Sequence, residues 1–223
     1  MARTLPSHAI APGREPNDAT PFLPERRSLN ALREAAAGCR GCHLWRGTTQ
    51  TVFGEGLKRA RVMLVGEQPG VKEDLAGRPF VGPAGRELDR GLEAAGIVRE
   101  EAYVTNVVKH FKFEERGRRR IHQTPKRFEI DACEPWLAEE LQVVKPEAVV
   151  LLGATAAKAL LGSSFRVTQH RGELLDSELA PLVSATIHPS AILRAPDEHA
   201  RAAEREAFAA DLRVVAGALE RQR

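Results

Sequence analysis

Three shortages narrow what this chain can be. It has three cysteines in 223 residues, and an odd number leaves a disulfide framework with an unmatched thiol. No signal peptide is apparent, so a reducing cytoplasm is the expected location. Long apolar runs are missing too. The longest, 148–162, carries Lys158 and falls short of the about 20 residues that a membrane span needs. A membrane protein is therefore not expected. Net charge is small, +3 at neutral pH, and no internal repeat is present, which speaks against a solenoid.

The cations that are present are unevenly placed. Arg116, Arg118, Arg119 and Arg120 fall within five positions, with Lys109 and Lys112 before them and Lys126 and Arg127 after. Such a patch suits a polyanionic partner such as nucleic acid. Residues 1–27 contain Pro6, Pro12, Pro16, Pro21 and Pro24 among polar residues and read as a disordered tail. The remaining stretch, 28–223, has the length of a single domain with one core.

Within that domain, apolar runs and helical patterns alternate. The runs at 62–65, 102–108, 148–152 and 182–187 predict four strands. Between and after them, 128–143, 155–161 and 198–219 predict helices, and Ser28 is placed to cap another that ends at Gly38. The β-formers and glycines of 48–56 suggest a small hairpin. Alternation of this kind predicts an α/β fold of three layers, α/β/α, with a central four-stranded parallel sheet. The polar segment 109–125 is then a long connection after the second strand, a place where function concentrates.

The stretch RVMLVGEQPGVKEDLAGRPFVGPAG, 61–85, is the densest in chemistry. A buried strand ends at Gly66, and Glu67 and Gln68 follow at the strand's carboxyl end, where open α/β sheets bind ligands. Gly66 and Gly70 allow the backbone to approach a ligand closely. Phe80, set among glycines before a helix start, offers a ring for stacking. Asn106 in the second strand and His188-Pro189-Ser190 after the fourth bring further polar groups to the same edge. Cys39 and Cys42 form a Cys-x-x-Cys pair at a helix end, which is metal-like or redox-like.

The motifs GEQPG, GRPFVGPAG, TNVVKH and HPS, in this order, resemble the uracil-DNA glycosylase superfamily, and are most similar to its iron-sulfur branch. The insertion GRRRIHQTP resembles the loop of the UdgX type, whose members excise uracil and stay covalently attached to DNA through a loop histidine. The resemblance covers roughly 37–193. It implies a uracil-DNA glycosylase acting, as a monomer, on uracil-containing DNA that is single-stranded or has the base flipped out. Phe80 would stack on the base and Asn106 would read its edge, because an amide pairs with adjacent O4 and N3–H of uracil but meets an amino donor on cytosine. His188 would donate to the departing base, and Glu67 would stabilise the cationic sugar. Gln68, a small residue in ordinary members of the branch, joins this catalytic set in a positioning role. His122 would capture C1′ in place of water. Arg118, Arg119, Arg120 and Ser190 would contact the DNA.

The same resemblance implies a [4Fe-4S] cluster on Cys39, Cys42, Cys133 and His110, with His110 standing where the wider branch has its third cysteine. These ligands would also suit a structural zinc ion. Two other functions fit the residues: a conventional multiple-turnover glycosylase, and a non-catalytic, metal-stabilised nucleic-acid-binding protein.

Overall fold

The computed structural model describes residues 17–222. In chain order the elements are α1 (Leu29–Ala36), β1 (Glu55–Gly56), β2 (Val62–Gly66), α2 (Val71–Ala76), α3 (Pro83–Ala94), β3 (Tyr103–Asn106), β4 (Phe113–Arg116) and β5 (Arg119–His122). Then come α4 (Arg127–Val144), β6 (Ala148–Leu152), α5 (Ala154–Leu161), α6 (Val167–His170), β7 (Leu174–Leu175), β8 (Leu182–Thr186), α7 (Pro189–Leu193) and α8 (Glu198–Glu220). The main sheet has the order β1-β3-β2-β6-β8-β7. Its four central strands are parallel, as the alternating pattern predicts, and the short outer strands β1 and β7 add antiparallel edges.

Strand periodicity sorts the core into two layers. Met63 and Val65 point to the face covered by Leu32 of α1, Trp136 and Leu137 of α4, and Ala156 of α5. Val62 and Leu64 point to the other face, where Leu88 and Leu92 of α3 and Phe208 and Leu212 of α8 lie. The central strands are buried on both sides, which is why they read as unbroken apolar runs rather than alternating ones. Ser28 does cap α1, its Oγ accepting from the Ala31 N–H at 3.3 Å. No helix among the described residues is long and apolar enough to cross a membrane.

Two expectations about the chain's course are corrected. Residues 1–16 of the expected tail lie outside the described residues, but part of 17–27 packs on the domain. Thr20–Phe22 forms a 3-10 turn, and the buried Ala19 gives its N–H to the Ala132 carbonyl at 2.8 Å. Segment 48–56 is not a hairpin, and only Glu55–Gly56 pairs, with β3. Its polar side chains bond elsewhere: Thr49 to Asp74, Gln50 to the carbonyls of Asp74 and Leu75, Thr51 to that of Ala36. The hairpin lies instead in the supposed long connection, where β4 pairs with β5 and brings Phe113 opposite His122.

Lys109, expected on a basic surface, is fully buried. Its ammonium contacts Glu140 Oε2 at 2.5 Å, Thr105 Oγ1 at 2.6 Å and the Asn106 carbonyl at 2.7 Å. Glu140 also accepts from the Tyr103 hydroxyl at 2.9 Å and the Gly54 N–H at 3.1 Å. Removing one charge of such a pair strands the other in a low dielectric. Glu140→Gln is therefore expected to cost about 3–5 kcal/mol, and Lys109→Met combined with it to cost less than that. Urea unfolding midpoints of the two proteins check the order, which an unchanged midpoint in Glu140→Gln would contradict.

Candidate active site

The register of the parallel strands sets the site. Gly66 at the end of β2 lies beside Asn106 at the end of β3, so one side chain and one bare backbone position share the carboxyl edge of the sheet. Gly66 is required by close approach: a Cβ there would collide with Asn106 Oδ1 and stand 2.6 Å from Phe80 Cζ. Asn106 is 2% exposed, and no donor among the described residues reaches its Oδ1. A buried acceptor left without a donor costs about 1–3 kcal/mol, a cost that a ligand N–H would remove.

Phe80 holds a backbone conformation that bulky residues rarely adopt, with φ at 55°. The strained turn aims its ring toward Gly66 and sets it 5.9 Å from the His188 ring, at 31° between planes. His188 itself caps the start of α7. Its Nδ1 accepts from the Ser190 N–H at 3.1 Å and lies 2.8 Å from the Ser190 hydroxyl, which Arg194 holds at 2.9 Å. With Nδ1 accepting, the neutral ring carries its proton on Nε2 and is a donor there. Burial, reinforced by Arg194 and His122, pushes its pKa down to about 4. Ser190, expected on DNA, is thus placed to orient His188.

Glu67 and His122 meet beside these groups, with His122 in electrostatic reach of His188. The Glu67 Oε2 accepts from the Thr155 hydroxyl, while Oε1 lies 3.3 Å from His122 Nε2 without an aligned hydrogen bond. Strand β5 delivers His122, which is half-exposed and packs its ring 6.1 Å from that of Phe111. Gln68 fixes the root of the hairpin. Its amide nitrogen donates to the Lys112 and Gln123 carbonyls at 3.2 and 3.0 Å, and its oxygen accepts from the Lys112 N–H at 3.0 Å. Gripping both strands, it is spent on positioning.

Other predicted residues take different places. Gly70 gives its N–H to Glu73 Oε2 at 3.1 Å, and Gly82 gives its own to Oε1 at 2.6 Å. Gly70 therefore belongs to a clamp that Glu73 makes between the two glycine loops, rather than to the Asn106 pocket. Arg120 is also diverted: it bonds Asp74 at 2.8 Å and lies over the Phe113 ring at 4.7 Å. Arg118 and Arg119 remain exposed at the hairpin tip. Asp74 and Thr155 carry no local sequence signal of these roles, since each acts on a segment distant in sequence, whereas Glu73 caps the start of its own helix at Gly70 as well as reaching Gly82.

The three thiols lie within electrostatic reach of one another. Burial raises the pKa of Cys42 and pushes that of Cys133 up to about 12, with the neighbouring cysteines adding to both shifts. Each sulfur also has N–H partners. Trp136 Nε1 donates to Cys39 at 3.3 Å, the Lys109 N–H to Cys133 at 3.2 Å, and the Leu44 and Trp45 amides to Cys42. That donor set suits metal-bound thiolates, whose charge such N–H groups offset. His110 is buried and neutral, its pKa lowered by burial to about 4, and its Nε2 lies 3.0 Å from the Thr51 hydroxyl. Among the described residues, no three His, Cys, Asp or Glu side chains are arranged to hold a metal ion. The sulfur chemistry fits the expected group, while the side-chain geometry does not assemble its four ligands.

An aromatic ring beside a bare glycine, a buried amide that can read a base edge, and a carboxylate beside an imidazole define a class of site suited to a flipped nucleobase. Comparison with known sequences narrows it. The profile of the Uracil DNA glycosylase superfamily matches residues 53–213. A type-4 uracil-DNA glycosylase of Pyrobaculum aerophilum is 37% identical over 175 residues, covering 75% of this chain and 86% of its own. One from Thermotoga maritima is 37% identical over 167 residues, covering 74% and 83%. A type-5 uracil-DNA glycosylase of Pyrobaculum aerophilum is 32% identical over 149 residues, covering 59% and 62%. The chain belongs to the uracil-DNA glycosylase superfamily.

The state of His188 is directly measurable. Ring ¹⁵N spectra should show a neutral imidazole with its proton on Nε2 from pH 7 down to about 5, since the pKa lies at about 4. The sign for stability follows. The unfolded histidine takes a proton near its ordinary 6.5, which the folded one refuses until about 4, so stability should fall as pH drops through that window. A ring that charges near pH 6.5 would contradict the assignment.

Proposed function

We propose that this protein is a uracil-DNA glycosylase of the iron-sulfur branch that releases uracil from single-stranded or flipped-out sites in DNA and then remains bound to the abasic sugar through His122, as in the UdgX type. The observation that carries the reading is His122 Nε2 standing 3.3 Å from Glu67 Oε1. One carboxylate thereby faces both the place where a sugar cation would form and a nucleophile able to trap it.

The steps follow from the groups in place. Phe80 stacks on the flipped base, and Asn106 Oδ1 accepts from uracil N3–H while its amide N–H meets O4. Cytosine has a bare N3 and an amino group at these positions, so it is refused. The C1′–N1 bond then breaks with its electron pair leaving on the base, and the Nε2–H of His188 hydrogen-bonds the developing uracil oxyanion. Glu67 offsets the positive charge on C1′. His122, with its proton on Nδ1, gives the Nε2 lone pair to C1′. The imidazolium so formed loses the Nδ1 proton to water, and the uracil anion takes one up. Capture outruns hydrolysis because the imidazole is held in place, whereas water must arrive. Arg118 and Arg119 at the hairpin tip are free to meet phosphates of the flanking strand.

For the cofactor, three cysteines whose sulfurs receive N–H bonds support a [4Fe-4S] cluster with His110 as the fourth ligand. It would tie the segment after α1 to α4 as a structural lobe and supply no step of base release. A zinc ion on the same residues is the rival occupant. Purified protein is expected to be brown and to contain iron and sulfide, and His110→Cys is expected to retain both. Stoichiometric zinc without iron would overturn the cluster.

Self-trapping is tested in one reaction. Incubation with a uracil-containing oligonucleotide should give free uracil and a protein-DNA band that survives denaturation. His122→Ser should abolish the band yet still release uracil, because a small hydroxyl admits water to C1′. A variant that keeps the band sinks His122 as the nucleophile. Uracil release without a band in the unmodified protein would indicate a conventional turnover enzyme.

A further inference from the structure

The turn that carries the chain from β6 into α5 reaches both polar groups proposed to act on the glycosidic bond. Gly153 opens it with φ at 93°, and a Cβ there would stand 2.7 Å from His188 Cβ. No other residue lets the His188 backbone sit so close at that conformation. Two positions on, the Thr155 hydroxyl donates to Glu67 Oε2. The turn is itself held to the sheet, the Gly153 N–H bonding the Thr186 carbonyl at 2.8 Å. It is thus a rigid gauge between the group facing the base and the group facing the sugar.

A carboxylate on a two-bond stem can rotate, and its two oxygens are equivalent until something tells them apart. Here Oε2 is claimed by Thr155, while Oε1 has no aligned donor and looks toward His122. We propose that Thr155 is a positioning residue for base release, fixing the rotation of Glu67 so that its uncommitted oxygen faces C1′ and His122. This rests on the reading of Glu67 as the group that stabilises the sugar cation. Thr155 touches neither base nor sugar and acts only through Glu67.

Valine has nearly the shape of threonine but no hydroxyl, so Thr155→Val frees the carboxylate with little change in packing. The test is uracil release from a single-stranded uracil-containing oligonucleotide under single-turnover conditions, over a series of protein concentrations. The maximal rate should fall about ten-fold or more in Thr155→Val, the scale of a lost hydrogen bond to a charged group, with the half-saturating concentration little changed. Thr155→Ala should share the loss and Thr155→Ser should restore most of the rate, since serine keeps the hydroxyl. Thermal midpoints of all four proteins separate this from a packing effect: a rate loss that tracks the midpoint and is not rescued by serine overturns the proposal. So does a Thr155→Val protein at the unmodified rate. If the unmodified protein releases uracil normally and Thr155→Val matches it, only the positioning role fails. If the unmodified protein releases none, the glycosylase reading fails and takes this role with it.

Discussion

The ion pair between Lys109 and Glu140 is the constraint on which the site depends. Both side chains are fully buried, so each charge gives up its hydration and is tolerable only if the other stays in place. The pair is fully bonded. Around Glu140 gather the Tyr103 and Thr105 hydroxyls of β3 and the amide of Gly54, and the ammonium adds the carbonyl of Asn106. Strand β3 is thereby fastened to α4 from its first residue to its last. An apolar core of equal volume could have given as much stability, but not a directional hold on the backbone of Asn106. The value of the pair lies in where it puts Asn106.

The fold also thins the basic patch, leaving Arg118 and Arg119 exposed at the hairpin tip. A run of cations in sequence suggests one electropositive face, yet the fold sorts these residues by partner. Lys109 goes to the core, Lys112 to Glu129 at 2.8 Å, Arg120 to Asp74 and Arg127 to Asp131. Periodicity had no means of anticipating this, because each acid comes from an element distant in sequence or from the next turn of a helix. The four parallel strands, by contrast, were legible, three of them to within one residue, while the second, expected at 102–108, covers only Tyr103–Asn106. Burial on both faces requires unbroken apolar runs, and few other structures use such runs between helices.

The hairpin shows the opposite case. FEER and RRIH contain one phenylalanine and one isoleucine among charges, so neither strand has an apolar face to betray it. What holds them is external: Gln68 bonds the backbone on both sides of the root, and Arg120 ties the returning strand to Asp74. Cross-strand pairing of Glu115 with Arg120 adds opposite charges in register. The candidate site was legible where residues stand at strand ends, as Glu67, Asn106 and His188 do. Thr155 and Asp74 were not, because their roles exist only once distant segments meet.

A strand rather than a loose loop beneath His122 also bears on the chemistry. A sugar cation in water survives only briefly, so the nucleophile that captures it is the one already in contact. Were His122 on a mobile segment, ordering it would cost conformational entropy at the moment of capture, and water would compete well. The ladder to β4, the Gln68 bridge and the Asp74 anchor meet that cost when the protein folds. The same fastening keeps His122 Nε2 3.3 Å from Glu67 Oε1, so on the proposed mechanism the group that would offset the cation stands beside the group that would consume it. On the proposed reading, covalent attachment would depend on how the hairpin is fastened as much as on the identity of the residue at its end.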